Sequence, residues 1–71
     1  MNKQKYKENA LAQLREIKET ALNVLGLVSI DDIDYKGVET SMNYIRLCTQ
    51  RVQWNTKNYL DFPCDLQDPD V

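Results

Sequence analysis

In the first half of the chain Ala10, Leu14, Ile17, Ala21, Val24 and Val28 recur at alternating steps of four and three. That spacing keeps them on one side of an α-helix, and Leu11, Leu22 and Leu25 widen the stripe into a broad apolar face. Good helix formers fill the remaining positions, among them Gln13, Arg15, Glu16, Lys18 and Glu19. Gly26 stands where a left-handed cap would close the helix. The pattern predicts a helix over residues 4–25.

The second half repeats the rhythm through Val38, Met42, Ile45, Thr49, Val52, Thr56 and Tyr59. A second helix is predicted over 35–60, ending before Phe62-Pro63 because a residue that precedes proline avoids the helical region. Thr49 and Thr56 are small polar members of this stripe, where packing should be close or slightly wet. Between the helices lies LVSIDDIDYK. Ser29 with Asp32 forms a loose capping box, and Asp34 is another candidate N-cap. A connection this short implies an antiparallel pair. The predicted fold is therefore all-α: a two-helix hairpin over 1–60, followed by an acidic, proline-containing tail over 61–71.

Size makes that hairpin marginal. A chain of 71 residues buries only about 60% of its unfolded surface, and small scaffolds usually add disulfides, a metal or a second subunit. Histidine is absent, and the two cysteines are too few for a structural zinc site. A Cys48–Cys64 bridge is awkward, since Cys48 falls inside the second helix and Cys64 beyond its end. Self-association remains, so the hairpin is expected to pack as a dimer or larger helical bundle. No apolar run approaches the roughly 20 residues that cross a bilayer. The basic start MNKQKYKENA lacks the unbroken apolar stretch of a signal peptide. These features lead us to expect a soluble, cytoplasmic chain with reduced thiols.

Charge is unevenly placed. The net value is −2, yet residues 1–27 sum to +2, residues 28–58 balance, and residues 59–71 carry four Asp and no cation. Long-range attraction to nucleic acid needs a net basic field, which is missing. Asp32, Asp34 and Gly37 fit three positions of a calcium-binding loop. Lys36 and Asn43 then stand where that loop needs an oxygen ligand and a bidentate Glu, so no metal is expected. Catalysis is also disfavoured. There is no phosphate-binding glycine motif, no nucleophile elbow, and no His to serve Cys48 as a base. No cofactor is expected.

One segment stands out against this background. Residues 43–60, NYIRLCTQRVQWNTKNYL, hold a Trp, two Tyr, two Arg and a Lys but no carboxylate. Within it Tyr44, Leu47, Arg51, Trp54 and Asn58, with Thr40 before them, form a second row beside the stripe, and Lys57 lies close by. An aromatic row at helical spacing is most often buried, here against a second hairpin. Trp, Tyr and Arg are equally the residues of interaction hot spots. The candidate binding residues are thus Tyr44, Leu47, Arg51, Trp54, Lys57 and Asn58. Their cations need an anion, either from the acidic tail, anchored by Phe62 and Leu66, or from a partner.

The favoured reading is a non-enzymatic oligomer that binds, and inhibits or regulates, an unidentified protein. Small stand-alone chains of this kind are often encoded by phages or mobile elements, and such an origin is an expectation for this one. A first alternative is an oligomeric sponge for an anionic nucleotide held by Tyr44, Arg51, Trp54 and Lys57. A second is a nucleic-acid-binding hairpin using Lys3, Lys5, Lys7 and the cations of the second helix, which the net charge opposes. Fold alone does not choose among them.

Overall fold

The structure, a computed structural model, describes residues 3–29 and 31–71. Met1 and Asn2 of the basic N-terminal stretch and Ile30 of the connection lie outside the described residues. Two helices, α1 (Gln4–Val28) and α2 (Tyr35–Leu60), pack against each other. The pairs Lys3–Asp61, Tyr6–Trp54, Lys7–Tyr59 and Asn9–Asn55 run in opposite directions along the two helices, so the hairpin is antiparallel.

α1 runs past the expected stop at residue 25. Gly26 keeps an ordinary negative φ and remains helical, so no left-handed glycine cap forms. Ser29 closes the helix instead. Its backbone N–H and its hydroxyl both donate to Leu25 O, at 3.1 and 2.7 Å. Ser29 thus ends α1 rather than starting a capping box with Asp32.

At the start of α2, Asp34 takes the N-cap role, its carboxylate accepting from Gly37 N at 3.1 Å. The fit requires glycine at 37. A Cβ there would lie 2.8 Å from Asp34 Oδ2 and 3.3 Å from Leu27 Cδ1. α2 ends at Asp61, which adopts a left-handed conformation with φ 54°. The turn lets Phe62 N donate to Lys57 O at 3.0 Å. A non-glycine residue in this region costs roughly 1–2 kcal/mol, and the Asp61 carboxylate is paired with Lys3 at the solvent-exposed end of the hairpin.

The interface is rotated from the expected stripes. The covered positions of α1 are Tyr6, Ala10, Gln13, Ile17, Thr20, Val24 and Leu27. Leu14 and Val28 are 47% and 49% exposed, and Ala21 is exposed too. In α2 the covered line passes through Val38, Ser41, Ile45, Cys48, Val52, Asn55 and Tyr59, while Met42, Thr49 and Thr56 face outward. The hydroxyls of Thr49 and Thr56 turn back to their own helix, donating to Ile45 O and Val52 O. Every second member of each expected stripe is displaced by one position. In α2 the shift brings smaller groups inward, Ser41 in place of Met42 and Cys48 in place of Thr49, whereas in α1 it brings in Gln13, Thr20 and Leu27, which size does not explain.

Among the described residues only Ala10, Cys48 and Asn55 are buried. Asn55 donates to Arg51 O at 2.8 Å and accepts from Asn9 at 3.5 Å. Gln13 Oε1 is buried without a hydrogen-bond partner among the described residues, which costs on the order of 1–3 kcal/mol. The core is narrow and partly polar. The chain spans 49 Å with a radius of gyration of 14.7 Å, against about 11 Å for a compact chain of this length.

Candidate functional site

Helical geometry divides the hairpin surface in two. In an antiparallel pair, positions one residue beyond the interface line emerge on the same side in both helices. On one side lie Leu14, Ala21 and Val28 of α1 with Met42, Thr49 and Thr56 of α2. On the other side emerges the row singled out by composition, Tyr44, Leu47, Arg51, Trp54 and Asn58.

That row is less open than its spacing suggests. Leu47, Arg51, Trp54 and Asn58 are half-buried, while Tyr44 remains 39% exposed. Trp54 meets the ring of Tyr6 edge-to-face, with centroids 5.8 Å apart. Asn58 donates to Trp54 O at 2.8 Å. Tyr44 lies beside the Cys48 thiol. Their hydrogen bond, followed by desolvation and the nearby Glu16 carboxylate, raises the phenol above its ordinary 10.0, with Arg51 opposing.

The tail reaches the row from behind. Residues 62–68 have no regular secondary structure and border α2 before a turn at Pro69–Asp70, where Asp70 N donates to Asp68 Oδ1 at 2.9 Å. Arg51 Nε and Nη2 donate to Asp70 Oδ1 at 3.0 and 2.8 Å. This bond to Asp70 raises the guanidinium further above its ordinary value. Both expected apolar anchors stay exposed, Phe62 at 61% and Leu66 at 40%, although both line a groove against α2. Arg46 receives no tail carboxylate and instead donates to Asn43 within α2 at 3.0 Å.

Lys57 stands apart from the other row members. It borders a shallow groove between α2 and the tail, lined also by Val52, Thr56, Leu60, Phe62 and Leu66. The structure therefore gathers Tyr44, Arg51 and Trp54 on one side and leaves Lys57 on the tail side. Cys48 and Cys64 are free thiols, one buried and one exposed. Among the described residues no three His, Cys, Asp or Glu side chains converge on a point that could hold a metal ion. No described helix is long and apolar enough to cross a membrane.

The chain matches no family model, no curated protein and no solved structure. Function must be argued from its surface.

One exposed stripe among the described residues was not foreseen as a separate face. Leu11, Leu14, Leu22, Leu25 and Val28 are 44–64% exposed along α1, and Met42 at 41% extends the patch onto α2. The signal was available: Leu11, Leu14, Lys18, Ala21, Leu25 and Val28 form a second run of alternating threes and fours. Merging it with the inward stripe concealed that α1 has two apolar lines.

Proposed function

We propose that this chain is a small, non-enzymatic, cytoplasmic oligomer that binds a protein partner and thereby inhibits or regulates it. One observation carries the reading. The fold buries only Ala10, Cys48 and Asn55 among its described residues, while 13 large hydrophobic residues stay exposed. Five of them, Leu11, Leu14, Leu22, Leu25 and Val28, lie along α1, and apolar surface grouped in this way marks sites meant to be covered. With apolar residues on one side and the Tyr44–Asn58 row on the other, the hairpin could assemble through one face and keep the second for a partner. Tyr44, Arg51 and Trp54 have the chemistry of a hot spot, and Asp70 acts as a removable cover on the arginine.

Nucleotide sequestration has weaker support, because Arg51 would have to release Asp70 and Trp54 its contact with Tyr6. Nucleic-acid binding still faces the net charge of −2.

The test is affinity purification from the native host, comparing wild type with Tyr44→Glu and Arg51→Ala. The expected result is one stoichiometric protein on the wild type that is absent from both variants, with helix content unchanged. Identical recovery with all three would remove the row from the proposal. A saturable change in Trp54 fluorescence on titration with nucleotides, with no protein recovered, would transfer support to the sponge.

A further inference from the structure

We infer that the exposed stripe of α1 is the self-association face, and that two copies meet through it antiparallel about a two-fold axis. The inference rests on the oligomeric reading above and assigns its surface and register. Leu11, Leu14, Lys18, Ala21, Leu25 and Val28 are spaced three, four, three, four and three apart, the rhythm of a helix–helix seam. The hairpin interface is built from other α1 residues, so its own fold leaves this seam without a partner helix.

A second copy fits because the seam complements its own reverse. In the antiparallel register, Leu11 meets Val28 of the second copy, Leu14 meets Leu25, and Lys18 meets Ala21. Each contact then occurs twice, as an isologous interface requires. The one charged member faces the smallest, whose methyl leaves space for the lysine stem to lie along the seam and carry its ammonium to water. The parallel alternative stacks Lys18 on Lys18 and is disfavoured by like charge. A single lysine in such a seam selects register and oligomer state.

Area supports the same occupant. The chain exposes 5578 Å², whereas a compact monomer of this mass exposes roughly 4,600 Å². The excess of about 1,000 Å² belongs to the whole elongated chain, tail included, and the 44–64% exposed leucines of α1 are the part of it that a second copy would cover. The assembly does not use the opposite side, which carries the Tyr44–Asn58 row.

Light scattering and sedimentation on the full chain test the proposal, with Leu25→Lys as the disrupting variant. Leu25 is 64% exposed, so the change leaves the hairpin folded by circular dichroism, and it sets a second cation one turn from Lys18 of the other copy. Wild type should sediment at twice the 8.3 kDa chain mass. The variant should weaken association by about 100-fold, the loss expected of a central interface residue. Register is read in a Cys64→Ser background by mixing Lys18→Cys chains with Ala21→Cys chains, which should form the mixed disulfide faster than either forms its own. A monomeric wild type overturns this inference and the oligomeric reading together. An oligomer insensitive to Leu25→Lys overturns the face alone. Like-with-like cross-linking that outpaces the mixed product overturns the register.

Discussion

Two glycines in similar helical settings should respond differently to alanine. Gly26 lies inside α1 with an ordinary negative φ, and a Cβ built there meets nothing within 4 Å. Replacing an unconstrained helical glycine by alanine stabilises by roughly 0.5–1 kcal/mol, mostly by restricting the unfolded chain. Gly37 lies in the first turn of α2, where the new methyl would sit 2.8 Å from Asp34 Oδ2 and 3.2 Å from its Cγ. The carboxylate must move, and it is the group that accepts from Gly37 N. Losing an N-cap costs about 0.5–2 kcal/mol, which offsets or exceeds the gain in helix propensity. Gly37→Ala should therefore be neutral or destabilising by about 1 kcal/mol, from the balance of those two terms.

Thermal unfolding followed at 222 nm, at one fixed chain concentration, reads the difference. For a domain of this size 1 kcal/mol corresponds to about 4–8 °C. Gly26→Ala should raise Tm by roughly 3–6 °C on that conversion, and Gly37→Ala should leave it unchanged or lower it. The decisive control is Asp34→Ala. With the capping carboxylate gone, the methyl at 37 has space on that side, so Gly37→Ala should be better tolerated there than in wild type. The resulting interaction energy isolates the cap. Equal stabilisation by both glycine replacements in the wild-type background would refute the reasoning, because it would mean that Asp34 does not hold the start of α2.

Further outcomes follow from other contacts. Asp70→Asn removes the carboxylate bonded to Arg51 but should cost under about 1 kcal/mol in urea titrations, because the pair is partly exposed; a larger loss would make the tail a structural element. Ile45→Asp places an unpaired charge in the helix interface and should abolish the cooperative transition; a folded variant would show that this interface yields to water. Exposed Cys64 should react with a thiol reagent at once, while buried Cys48 reacts only as fast as the hairpin opens; equal rates would contradict the packing. Because the Tyr44 phenol is raised, its stabilising contribution is complete below pH 10 and is lost as pH rises through its folded value. Tyr44→Phe should therefore lose less stability than wild type in strongly alkaline solution, and parallel losses would argue against the contact with Cys48.

Element positions were the most legible part of this sequence. The start of α2 at Tyr35 and its end at Leu60 follow from Asp34, from the stripe and from Pro63, all local signals. The interface was less legible because it depends on how closely two surfaces approach. Periodicity gives the direction of a face to within about one residue, and that residue separates Leu14 from Gln13 and Met42 from Ser41. Gly26 misled because a glycine near a helix end serves equally well as a cap or as an ordinary helical residue, and Ser29 supplied the stop. At the candidate site, composition singled out Tyr44, Arg51 and Trp54, and they do share one side. The ties of Arg51 to Asp70 and of Trp54 to Tyr6 were beyond its reach in detail, since they join residues 19 and 48 positions apart.

The polar groups inside the hairpin also bear on how it responds to force. Sliding α1 along α2 by one turn, about 5.4 Å, would strand Asn55 away from Asn9, part Tyr6 from Trp54 and drive Leu27 off the notch at Gly37. An interior made only of interchangeable leucines would allow such a slip at little cost. Here the mismatched stops act like the wards of a lock and favour one alignment of α1 on α2. Tension along the helices should then load these contacts together, so the pair is expected to part as one unit rather than to slide turn by turn.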